Sequence, residues 1–131
     1  MIALDTNVLV RLVTGDDPAQ AKRVAARIDD GEAFFVPLTV ALELEWVLRG
    51  AYRLPRERVV AIFEALMSIR NLRFADEQAL GRALIQHRSG LDLADALHLE
   101  ASHGCTAMLS FDGKLRTRAR RAQLRPEVEA P

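Results

Sequence analysis

Sulfur, imidazole and aromatic rings are all scarce in this 131-residue chain, and each shortage removes a class of chemistry. Cys105 is the one cysteine, so no intramolecular disulfide, no CxxC redox pair and no thiolate zinc cluster can form. It reads as a small space-filling residue before a strand. The three histidines add little: His87 and His103 read as helix-end polar residues and His98 as a surface or packing residue. Aromatic residues make up 5% of the chain, which leaves few platforms for base stacking. Long apolar runs are missing too. No segment reaches the roughly 20 apolar residues that span a bilayer, and Met1-Ile2-Ala3-Leu4-Asp5 lacks the basic stretch of a secretory signal. The expected location is cytoplasmic.

What is present describes a globular domain. Half the residues are hydrophobic and 27% are charged, with 18 Lys plus Arg against 18 Asp plus Glu. At this length folding can bury somewhat under roughly 70% of the surface of the unfolded chain, enough for a core without a structural metal. One domain over residues 1–131 is expected. The zero net charge hides a skew: Lys114, Arg116, Arg118, Arg120, Arg121 and Arg125 follow one another with no acid between them. Such a stripe is either a solvated helix face or a track for phosphates.

Short apolar runs alternate with helical patterns. Ile2 to Leu4, Phe34 to Val36, Asn71 to Phe74, Thr106 to Phe111 and Arg125 to Val128 read as strands. Helices are predicted from Pro18 to Asp30, from a Thr39 cap to Gly50, from Arg56 to Met67, from an Asp76 cap to about His87, from Asp92 to Gly104, and from Asp112 to about Arg121. Strands apolar on both faces and separated by helices argue for an α/β fold with a parallel sheet. Ligands of such sheets gather at the carboxyl ends of the strands.

That rule draws attention to acids. Asp5 directly follows the first strand and Asp112 the fourth, although either could simply cap the next helix. On the helix after Thr39, Val40, Leu44, Val47 and Leu48 form the expected apolar stripe, with Glu43 beside it. Glu45 is expected on the opposite face, in a surface ion pair with Arg49. Leu93, Ala94, Leu97 and Ala101 should pack on the sheet, Asp92 should cap that helix, and Asp95 lies too far inside it to be a simple cap. If Asp5, Glu43, Asp95 and Asp112 converge, their repulsion calls for protonation or for a divalent cation. All-oxygen donors favour Mg²⁺ or Mn²⁺ over zinc, and such ions activate water for attack on a phosphodiester without a histidine base. Thr6, Asn7 and Ser110 are polar neighbours able to orient a ligating carboxylate or a water, or merely to bond locally.

Asp5-Thr6-Asn7-Val8-Leu9, Ala41-Leu42-Glu43-Leu44, Asp92-Leu93-Ala94-Asp95-Ala96-Leu97-His98-Leu99 and Leu109-Ser110-Phe111-Asp112 resemble, in order and spacing, the acidic motifs of PIN-domain nucleases, and more narrowly of VapC-type toxins from toxin–antitoxin pairs. The resemblance runs from about Ile2 to Arg125. It implies an α/β/α sandwich with a short, mainly parallel central sheet. It also implies metal-binding acids at Asp5, Glu43, Asp95 and Asp112, with Asp92 as an additional contact and Thr6 and Ser110 in support. Leu93 and Gly113 depart from the family, which often has an aromatic at the first place and a larger residue at the second.

A metal-dependent endoribonuclease acting as a toxin is therefore expected. Lys114, Arg116, Arg118, Arg120 and Arg121 would grip the RNA backbone, by shape more than by stacking. The resemblance further implies a VapB-like antitoxin partner and a homodimer. Two other classes compete: a non-catalytic, metal-stabilised binding module of the same fold, and a receiver-like phosphotransfer domain, against which stands the single Asp5 at the end of the first strand.

Overall fold

Pro, Gly and Asp punctuate the apolar runs of this chain, and the computed structural model, which describes residues 1–131, turns that punctuation into alternating strands and helices. In chain order they are β1 (Ile2–Ala3), α1 (Thr6–Thr14), α2 (Pro18–Asp29), β2 (Phe34–Val36), α3 (Leu38–Gly50), α4 (Arg56–Met67), β3 (Leu72–Phe74), α5 (Glu77–Arg88), α6 (Leu93–Ala101), β4 (Ala107–Leu109), α7 (Gly113–Arg121) and β5 (Glu127–Glu129). The class is α/β, and every strand pairing is parallel. The chain divides into two compact units, Met1–Glu77 and Gln78–Pro131.

The first unit holds a three-stranded sheet in the order β1-β2-β3. Ile2 stands opposite Phe34, and Phe34 opposite Leu72. Parallel neighbours need a long crossover, and the helix pairs α1–α2 and α3–α4 supply it. Phe34, Val36, Leu72 and Phe74 are buried among Leu9, Leu44, Leu48, Val59 and Phe63. The Phe63 and Phe74 rings meet at 6.1 Å and a tilt of 49°. Helix α1 is signalled in the sequence only by Asp5 as a possible cap. It runs nine residues because Leu9 and Val10 bury one side, and Gly15 ends it at φ 63°, a left-handed cap for which glycine is suited. Asp17 caps α2 through Gln20 N–H at 3.1 Å, with Pro18 in the first turn.

Helix α3 departs from expectation in two ways. Pro37, rather than Thr39, precedes its first turn, and Thr39 lies within the helix. The helix is also rotated: the buried stripe is Ala41, Leu44, Glu45 and Leu48. Glu45 is therefore a core residue, 2% exposed, and its ion pair with Arg49 is not a surface one. The spacing at i, i+4 was legible; the face it lies on was not, since Ala41 and not Val40 is buried. The carboxylate tolerates burial because Arg49 Nε donates to it at 2.6 Å.

In the second unit β4 and β5 pair with Ala107 opposite Glu127. Leu80, Ala83, Leu84, Leu91, Leu93, Ala96, Leu97, Leu99, Leu115, Ala119 and Val128 are among its buried residues. The packing face of α6 thus uses Ala96 and Leu99, whereas Ala101, expected inward, is exposed. Asp76 is no helix cap; it sits at φ 48° before α5. His87 is at the helix end as expected but fully buried, with Nδ1–H donating to the Leu91 carbonyl at 2.8 Å. Cys105 is exposed and fills no core space, because it falls in the turn before β4.

Candidate active site

The acids singled out in the sequence fall in both units, and each unit shows how its own are held. In the first, Asp5 leaves the carboxyl end of β1 in extended conformation and occupies the N-cap position of α1. Its backbone carbonyl accepts from Val8 and Leu9 N–H, yet its carboxylate makes no cap hydrogen bond and is exposed. The helix start leaves that carboxylate available for other work. Thr6, the next residue, is buried, and its hydroxyl donates a short hydrogen bond to Glu43 Oε1. Glu43 itself lies on the exposed side of α3, opposite the buried stripe. One bond thus fixes the carboxylate of α3 to the first turn of α1. Asn7 is exposed beside Asp5.

In the second unit Asp92 caps α6 as the sequence predicts, accepting from Ala94 N–H at 2.8 Å. Asp95 follows in the first helical turn and is half-buried. Burial holds its carboxyl above the usual carboxylate range; the charges of Asp92 and, less strongly, Asp112 push the same way, and His98 opposes them. Asp112 caps α7: one oxygen accepts from Lys114 N–H at 2.9 Å and Leu115 N–H at 3.1 Å. Ser110 Oγ accepts from the Asp112 N–H at 3.0 Å. The last acid therefore serves its helix with one oxygen and keeps the other. A Cβ at Gly113 would meet only Arg116 Nη2 at 3.6 Å, an ordinary contact, so this departure from the family carries no steric demand.

The basic residues divide by face. Arg116 donates to the Ser110 carbonyl at 2.8 Å, and Arg118 to the Gly90 carbonyl. Arg116 and Arg120 line a cleft of about 740 Å³ between α7 and β5, together with Arg125, Glu127 and Glu129. Arg118 and Arg121 line a different one. Lys114 is exposed at the helix start. Arg125 closes the acid-free run that ends past α7, and its place at the cleft was not foreseen.

The match to the PIN domain family covers residues 2–121, and the chain belongs to that family. PIN domains are generally metal-dependent nucleases that act on RNA or other nucleic acid. No curated protein matches the chain.

The donors fit a hard divalent cation in kind. They are carboxylate oxygens without sulfur or imidazole, and Asp92 and Asp112 each crowd the Asp95 carboxylate with like charge that a cation would relieve. No group of three or more His, Cys, Asp and Glu side chains is drawn together tightly enough to hold a metal ion. The fit is one of donor chemistry, not of a finished coordination shell.

Proposed function

We propose that the protein is a Mg²⁺- or Mn²⁺-dependent endoribonuclease and that residues 1–131 act as one nuclease domain, with Asp5, Glu43, Asp95 and Asp112 as its metal-holding acids. The family match across residues 2–121 carries this reading. The state of the acids supports it: an uncapped Asp5, a Glu43 anchored by Thr6, and an Asp95 crowded by like charge.

When bound, the cation would supply an activated water and charge neutralisation at the departing oxygen. The chain's own part is positional. Thr6 holds Glu43 in one orientation, and the Ser110 hydroxyl and the α7 cap hold Asp112. Asp92 adds negative charge beside Asp95 and serves as an additional contact. Asn7 and Ser110 can orient a water or a phosphate oxygen. Arg116 and Arg120, with Lys114, Arg118 and Arg121, neutralise RNA phosphates along α7.

The resemblance to VapC-type toxins supports a finer reading: the toxin of a toxin–antitoxin pair, a homodimer, kept silent by an antitoxin whose basic side chain enters the acidic site in place of the cation. Co-purification of a short DNA-binding partner encoded beside it is the expected result. RNA cleavage with and without chelator, in the native protein and in Asp5→Asn, tests the enzyme. Loss of cutting in both cases is expected; unchanged, chelator-insensitive cutting overturns the metal mechanism. Metal-dependent thermal stabilisation without turnover on any RNA would instead favour the non-catalytic binding module.

A further inference from the structure

Aromatic residues are few here, and the structure uses five of the seven in packing. Phe34, Phe63 and Phe74 are buried, and Phe35 and Tyr52 are half-buried. Two rings are left open to solvent: Trp46, 68% exposed, and Phe111, 89% exposed. A single exposed apolar residue needs no explanation. These two share a feature. Trp46 is three residues after Glu43 on the exposed side of α3, and Phe111 directly precedes Asp112. Residues three apart on a helix have Cβ atoms about 5–6 Å apart, so Trp46 leaves α3 as a neighbour of Glu43, whose carboxylate Thr6 holds.

Both rings stand on backbone that is tied in place. Trp46 projects from the middle of a 13-residue helix whose other side is locked into the core by Leu44, Glu45 and Leu48. Around Phe111, Ser110 N–H donates to the Glu129 carbonyl at 2.9 Å, Arg116 to the Ser110 carbonyl at 2.8 Å, and Asp112 N–H to Ser110 Oγ at 3.0 Å. The turn is tied on both sides of a ring that itself touches solvent. Little order would have to be created on binding, which is the property of a good contact platform. Every nucleobase has a flat face that stacks on such a ring, and Arg116 and Lys114 beside Phe111 offer charge for the adjoining phosphate.

We propose that Trp46 and Phe111 are stacking platforms for unpaired bases of the RNA substrate, each next to an acid of the catalytic set. This deepens the nuclease reading and rests on it. It adds base contacts to the recognition by shape expected from the sequence: the rings are few, but each adjoins an acid along the chain. Bases within a duplex have no free face, so the contact is to unpaired nucleotides.

Trp46 is the one tryptophan, so its fluorescence reports the contact directly. The intact chain, held in chelator to prevent cleavage, is titrated with an unstructured RNA of about ten nucleotides, a length within the usual single-strand site size. The same backbone without bases, and the duplex, serve as comparisons. Quenching by the RNA alone is expected. Trp46→Ala and Phe111→Ala should each weaken binding, read by anisotropy of a labelled RNA, by about 5- to 150-fold, with Trp46→Phe recovering much of the loss. Equal binding of the base-free backbone, absence of quenching, or native affinity in both alanine variants would overturn the proposal. So would a Trp46→Ala variant that changes the protein's mass in solution and leaves RNA affinity intact, which would make the ring a contact between copies. The nuclease reading fails separately: base-dependent quenching in a protein that never cuts RNA in Mg²⁺ or Mn²⁺ would sink it and leave the stacking contact standing.

Discussion

Asp95 carries conflicting demands that a single substitution separates. Its carboxyl is raised by burial and by the charges of Asp92 and Asp112, so at neutral pH its ionised form costs the native state stability. Asp95→Asn removes that cost along with a donor. Cleavage of RNA should fall at least about 100-fold, while the melting temperature in chelator should rise by about 1–3 °C, read by calorimetry. A loss of both activity and stability would assign Asp95 to structure instead. Glu45 shows the reverse balance. With Arg49→Ala the buried carboxylate loses the guanidinium that donates at 2.6 Å, and unfolding in denaturant should register a loss of about 1–3 kcal/mol, less than for a fully buried pair because Arg49 is itself partly exposed. Asp16 offers a third measurement. The Tyr52 hydroxyl, with smaller help from Thr14 and Arg11, holds its carboxyl below the ordinary range. A depressed carboxyl stabilises the fold above the unfolded value, and that contribution is lost as pH falls through the folded one. Tyr52→Phe should move the Asp16 titration upward, with the Thr14 and Arg11 contributions remaining, followed by NMR.

Among the elements, α7 makes the most specific demand. Arg116 and Arg120 share one cleft and Arg118 and Arg121 another, so the helix is not a uniform basic rod. Arg116→Ala with Arg120→Ala should flatten the salt dependence of RNA affinity, the log–log slope losing about 0.7 for each phosphate contact removed. An unchanged slope would make these arginines scaffold for β5 and the 110–112 turn. Caps and breakers made much of this legible in advance: Pro18, Asp92, Asp112 and the acid-free run each sit where local rules put them. The rotation of α3 was not legible. A helix with Leu, Val and Ala on several faces has no unique buried stripe in its sequence, and Glu45 joins the core with Arg49 one turn away to pair its charge. The exposure of Cys105 and the burial of His87 escaped for a related reason, since burial belongs to tertiary neighbours and not to residue type.

For the whole molecule, 18 basic and 18 acidic residues give no net field to draw RNA in, so affinity must come from local grouping of charge. The family's acids stand in both units: Asp5 and Glu43 within Met1–Glu77, Asp95 and Asp112 within Gln78–Pro131. Their order along the chain is readable from four motifs, whereas their joint action is what the proposed function requires of them and no local motif encodes it. Titration of Mn²⁺ into the native protein, Asp5→Asn and Asp95→Asn, followed by calorimetry, therefore tests the account at its centre. It predicts saturable uptake by the native chain and loss of that uptake in both variants, one from each unit. Uptake that survives either substitution, or no uptake by the native chain, would contradict it.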